Sequence, residues 1–304
     1  SAKSISVGEN CVLAINTDDE LYGWGNDGEM SLLCGKANGG TSKTPVMLMA
    51  DVICAASGVE HNAAVTSDGS LYTWGKDCNG SLGIASLSGS VIRQPTKVMG
   101  NIESVYCYGN NTLSITKDGR LYGWGEDFGF NKPQLITSGT VAVSKACGKT
   151  FLLQNANNEV RILQCGTMPD GTPSITLTPV VASNVTDIID YGYIRNDGKL
   201  WMCKTDSSNS FVPSADRVKL AECHDMSYRA YVSLRTLHIE KANLNSFTKD
   251  EFHSVSDISV QIQPTSSGII FAIIIAACIA VMVFVIAEKP ELYQQLKEEI
   301  FPEK

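Results

Sequence analysis

The residues of this chain most able to do chemistry are four histidines and ten cysteines, and their spacing decides what chemistry is open to them. His61, His224, His238 and His253 share no spacing, and no Gly-x-Ser-x-Gly elbow is present. Nucleophilic catalysis needs a nucleophile, a base and an orienting group held together, so these residues give no catalytic reading. No two cysteines form a CxxC pair, which leaves a zinc site unsupported. The glycines do not open a helix after a strand in GxGxxG spacing, so a phosphate cradle is unsupported as well. The expectation is a protein that is not an enzyme and uses no cofactor or metal. Nine cysteines, Cys11, Cys34, Cys54, Cys78, Cys107, Cys147, Cys165, Cys203 and Cys223, lie before the apolar C-terminal segment. They read as buried thiols behaving like small apolar side chains, with one or two disulfides open if the body is extracellular.

The elements that hold these residues follow from a repeat. LYGWG at Leu21, LYTWG at Leu71 and LYGWG at Leu121 recur fifty residues apart, which is a structural period. Each follows an apolar run and a turn, as in AAVTSDGSLYTWG, and Asp-Gly between alternating runs is a strong hairpin signal. The first copy has Asp18-Asp19 in place of Asp-Gly, and a degenerate fourth copy near Val160 has Asn157-Asn158. Further hairpins centre on Leu200 and, faintly, Leu237, with spacings of 39, 40 and 37 residues. A further strand precedes each of the first hairpins, as in DVICAASG, so each unit supplies three to four antiparallel strands. Small sheets of this kind bury their faces only by stacking on one another. The fold class predicted over residues 1–262 is therefore all-β, a β-propeller with six recognisable blades. A seventh blade, an open arc, or a ring completed by strands near Ser1–Val7 and Ile258–Ile262 stays open.

WGKDCNGSLG at Trp74 to Gly83 resembles the signature of regulator of chromosome condensation repeats, and Gly58-Val59-Glu60-His61 fits that family's Gly-x-x-His. WGNDGEMSLL at Trp24 and WGEDFG at Trp124 repeat its first half. The resemblance covers roughly residues 1–240 and is strongest in the first three units. It implies a propeller and partners that range widely, among them a small GTPase together with chromatin. WD repeats end in Trp-Asp and kelch units need Gly-Gly in each blade, so both fit less well. Trp24, Trp74 and Trp124 then read as blade packing, with Tyr22, Tyr72 and Tyr122 on the opposite strand face.

Recognition by a propeller falls to the loops at its ends, carried on a rigid scaffold. The longest here are residues 26–46 and 76–94, in which Asn26, Asp27, Met30, Leu32, Leu33, Lys76, Asp77 and Asn79 are the candidate contacts. Sequons begin at Asn79, Asn110 and Asn184, sites for glycans if the chain passes through a eukaryotic secretory pathway. The net charge of −8 and the lack of a basic run argue against nucleic acid as a partner.

Residues 268–287 read GIIFAIIIAACIAVMVFVIA, with no charge and no proline. At helical rise this spans the ~30 Å hydrocarbon core, so a single transmembrane helix is expected after a linker at 263–267. Gly268, Ala272, Ala276 and Ala280 form a small-residue ladder suited to helix pairing or a larger membrane assembly. The tail, residues 288–304, carries Tyr293 and Leu296 in the spacing of a tyrosine-based sorting signal. A start at Ser1 and a polar approach to the membrane favour a processed chain with the propeller extracellular or lumenal. The expected function is a membrane-anchored recognition scaffold binding protein through its loops. The alternatives are a structural subunit of a membrane assembly, or a cytosolic nucleotide-exchange or chromatin-type regulator anchored by its tail.

Overall fold

Alternating apolar residues separated by tight turns build sheets of consecutive strands, and the computed structural model has that arrangement throughout. It describes residues 2–26, 41–85, 88–203, 210–215, 218–224, 228–233, 236–242 and 252–259. The first sheet joins β1 to β4, at Ala2–Val7, Cys11–Asn16, Leu21–Asn26 and Thr41–Met49. β5 to β8 follow at Val52–Ser57, His61–Thr66, Leu71–Lys76 and Val91–Met99, and β9 to β12 at Ile102–Tyr108, Asn111–Thr116, Arg120–Gly125 and Phe130–Ser138. The fourth sheet joins β13 to β16, at Thr140–Lys145, Thr150–Asn155, Val160–Thr167 and Pro173–Leu177. The fifth joins β17 to β20, at Val185–Ile189, Gly192–Arg195, Leu200–Cys203 and Phe211–Ala215. The last described sheet joins β21 to β24, at Val218–His224, Tyr228–Ser233, Thr236–Ala242 and Phe252–Ser259. The chain divides into two compact units, Ser1–Val185 and Thr186–Lys304.

Each sheet is antiparallel and sequential, so no described sheet borrows a strand from elsewhere. Ala2–Val7 leads the first sheet, and Phe252–Ser259 closes the last described one. The central hairpin keeps one register in the first three sheets, with Val12 opposite Trp24, Asn62 opposite Trp74 and Thr112 opposite Trp124. The fourth strands of the first five sheets carry Pro45, Pro95, Pro133, Pro173 and Pro213, and irregular register accompanies four of them. Proline and bulges on an edge strand remove donors that would otherwise pair with another chain.

The hairpin turns explain how degenerate copies keep the same shape. Gly69, Gly119 and Gly198 have positive φ, and so do the non-glycine replacements Asp19 (62°) and Asn158 (59°). Asp and Asn tolerate this region because their short side chains bond locally. A neighbouring residue braces each replacement turn: Asn16 Oδ1 accepts from the amides of Asp18 and Glu20, and Asn155 Oδ1 from those of Asn157 and Glu159. The same turn residues join one sheet to the next. The carbonyls of Asp19, Gly69, Gly119, Asn158 and Gly198 accept from the amides of Val52, Ile102, Thr140, Val185 and Val218, the first residues of the following leading strands, at 2.8–3.0 Å.

Side chains fill the seams between sheets. Trp74 packs with Leu13, Ile15, Leu21, Val52 and Ala64, and Trp124 with Ala63, Val65, Leu71, Ile102 and Val105. Both tryptophans are fully buried, whereas Trp24 is half-buried. The fourth sheet has Leu163 where the tryptophan would fall. Its lost volume is taken up by Phe128 and Phe151, whose rings lie 5.5 Å apart amid Leu113, Leu121, Val143 and Leu163. Phe128 occupies this place only because Gly123 has no side chain; a Cβ there would come within 2.8 Å of the ring.

Candidate recognition loops

The loop after β7 holds the best-formed copy of the repeat signature, and most of its polar groups turn inward. Asp77 is fully buried, and its Oδ1 accepts from the Leu82 amide at 3.0 Å. Its backbone bonds to Ser90 and Gly89 at the far end of the loop. Asp77 is thus a brace that closes the loop rather than an exposed contact. Thr73 Oγ1 donates to Leu82 O at 2.7 Å, and Ser81 O accepts from Thr112 Oγ1 at 2.8 Å and Trp124 Nε1 at 2.9 Å. Gly80 and Gly83 have positive φ, and a Cβ would meet Asn131 at 2.6 Å or Trp124 at 2.7 Å. The signature is therefore the mortar between the second and third sheets.

His61 belongs to the same network. It is fully buried, with Nε2 2.8 Å from Thr112 Oγ1. The single Thr112 hydroxyl proton goes to Ser81 O, so the hydroxyl accepts and His61 is the Nε2–H tautomer. Nδ1 has no hydrogen-bond partner and faces Gly58, at 2.8 Å from where a Cβ would stand. Burial lowers the His61 pKa to about 4, which keeps the ring neutral and sealed. Its surroundings give it a packing role and no access to substrate.

Lys76, Cys78, Asn79 and Glu60 remain at the loop surface. Lys76 Nζ lies 2.9 Å from Glu60 Oε2, and Cys78 Sγ donates to the same oxygen at 2.6 Å. The Cys78 and Lys76 bonds hold the Glu60 carboxyl below its usual range. Partial burial, reinforced by Glu60, pushes the Cys78 thiol up to about 11. A thiol held protonated at neutral pH is a poor nucleophile. Asn79 is exposed, with φ of 54°. On the neighbouring loop, Asn110 Nδ2 donates to Glu126 Oε2 at 3.0 Å, while its Oδ1 is buried without a partner.

Asn26 ends β3, and its side chain lies outside the described residues, as do Asp27, Met30, Leu32 and Leu33. Gly268, Ala272, Ala276, Ala280, Tyr293 and Leu296 lie outside them too. Among the described residues no helix is long and apolar enough to cross a membrane. Cys54, Cys78, Cys107 and Cys165 are thiols, and burial raises the pKa of each. Cys147 and Cys203 are disulfide-bonded.

Comparison with known proteins agrees with this architecture. The sequence profile of the regulator of chromosome condensation (RCC1) repeat matches residues 52–81 and, in a second form, residues 68–113. No curated protein sequence matches the chain significantly. Among solved structures, Prp20p of Saccharomyces cerevisiae, described with its binding to Gsp1p and histones, is similar at a TM-score of 0.62 and 14% identity. That likeness covers 83% of this chain and 76% of Prp20p. Yeast RCC1 (Prp20) bound to Kap60 is similar at 0.59 and 14% identity, over 87% of this chain and 75% of the other. Hsv2 of Kluyveromyces lactis gives 0.51 and 12% identity, over 79% and 73%. The class is thus an all-β propeller of four-stranded antiparallel blades. Within that class, residues 52–113, the second sheet and the start of the third, match the regulator of chromosome condensation repeat.

Proposed function

We propose that this chain is a membrane-anchored, non-catalytic recognition protein whose propeller binds a protein partner through its loop end. One observation carries the reading: the chemically able residues of the signature are spent on packing. His61 is sealed, Asp77 braces the loop and Cys78 stays protonated, which leaves a rigid frame carrying polar loop surface. The similar yeast propeller is described as binding Gsp1p and histones, and another structure of it holds Kap60. Protein binding on this frame therefore has precedent in fold, although identity of 14% supports no shared partner. The apolar segment 268–287 supplies the anchor. The bonded state of Cys147 and Cys203 fits a body outside the cytosol.

A photocrosslinking residue placed at Asn79 or Ser88, on the loop end, in cells expressing the full-length precursor should give protein adducts. The same group at Asp51 or Asn101, on the opposite end of the blades, should give none. Adducts only from Asp51 and Asn101 would sink the assignment of the face. Protease added to intact cells should cleave the propeller, and full protection would return the cytosolic, tail-anchored alternative.

A further inference from the structure

The three sequons occupy three different settings. At Asn110 the carboxamide is built into the fold, with Nδ2 bonded to Glu126, Oδ1 buried, and the third sequon residue, Thr112, fully buried within the His61 network. At Asn79 the side chain is exposed, but Ser81 is buried mortar. Asn184 differs from both: it is exposed, its carboxamide makes no hydrogen bond among the described residues, and Thr186 is exposed as well. The Thr186 hydroxyl donates to Ile194 O at 3.2 Å.

The place of Asn184 in the blade matters equally. It stands just before β17, at the position held by Asp51, Asn101 and Gly139 before the earlier leading strands, all with positive φ. Strands alternate in direction, so this connection lies at the end of the blade opposite the loop after β7. A bulky group on Asn184 projects from the turn end and leaves the loop end open.

We propose that Asn184 is an N-glycan acceptor and that Asn110 is not. This rests on the extracellular or lumenal reading above. The donor is a polyprenyl-diphosphate-linked oligosaccharide. Its bond from the anomeric carbon to the diphosphate breaks, that carbon bonds to Asn184 Nδ2, Nδ2 gives up one proton, and the lipid diphosphate leaves. The product carries its sugar on a residue whose folded contacts need neither hydrogen of Nδ2. At Asn110 the same product would displace the Glu126 contact and force the buried oxygen out of place.

The test uses the full chain in eukaryotic cells behind a cleavable secretory leader, with Asn79→Gly throughout to remove that sequon while keeping its backbone conformation. Treatment with peptide N-glycosidase should lower the apparent mass by one glycan. Asn184→Gly and Thr186→Ala should each abolish that shift, and Thr186→Ser and Asn110→Gln should keep it. A shift that survives Asn184→Gly, one lost with Asn110→Gln, or no shift at all would overturn the assignment. The native precursor, without the added leader, tests the topology separately. If it is unmodified and protease-protected while the led chain is modified at Asn184, the extracellular reading fails and the acceptor site stands.

Discussion

Replacing His61 with glutamine should remove most of the loss of stability that this protein shows between pH 7 and pH 5. The native ring is neutral, with its pKa lowered by burial from the ordinary 6.5 to about 4. An unfolded chain takes up a proton as pH falls through 6.5, while the folded chain does not until about pH 4. The stability that the neutral ring contributes is therefore full above pH 6.5, declines as pH falls, and is wholly lost below pH 4. A shift of about 2.5 units corresponds to roughly 3 kcal/mol, of which about 2 kcal/mol is gone by pH 5. Among the described residues, Glu60, Asp68, Asp118 and Asp170 have lowered pKa values, so their protonation costs stability only at more acid pH. Burial raises the Asp187 carboxyl instead, so its protonation favours the folded chain as pH falls and cannot supply the loss, which leaves the acid-side loss between pH 7 and 5 to histidine. The assay is denaturant unfolding of the full chain in detergent at both pH values, comparing the change in stability rather than its absolute level. If wild type and His61→Gln lose the same amount, the ring is not the sealed neutral group described above.

Trp124→Ala should cost about 3–5 kcal/mol, the range for a buried aromatic truncated in a packed core, because it empties a seam and strips Ser81 O of one donor. Trp24→Ala, at a half-buried site, should cost clearly less in the same unfolding assay. Asn158→Val should destabilise by about 1–3 kcal/mol, since a β-branched residue is strained at φ of 59°. Asn158→Gly should be close to neutral, and melting temperatures of the pair check both.

Much of the fold is written in the period. LYGWG, LYTWG and LYGWG, with Asp-Gly ahead of two of them, locate the central hairpin of the first three blades, and the faint copy at Leu237 does form a strand. The fourth strand of each blade is harder to read. TSKTPVMLM and VIRQPTKVM carry a proline and little alternation, as an edge half exposed to water permits. Asp77 misled for a physical reason: a carboxylate in a Gly-rich loop looks solvated, yet here it bonds a backbone amide five residues on. The exchange of a tryptophan for Leu163 with Phe128 and Phe151 was equally hidden, because volume compensation between strands leaves no local pattern.

The backbone bond from each positive-φ turn to the next leading strand bears on how the protein is made. A ribosome at roughly 5–20 residues per second needs several seconds for a fifty-residue blade, whereas a hairpin closes in about 1–10 μs. Each described sheet is complete in sequence before the next begins, and the turn carbonyl is in place when the amide of the following leading strand emerges. Within Ser1–Val185 the sheets can thus be laid down in order during synthesis, each finished one serving as the template on which the next one docks.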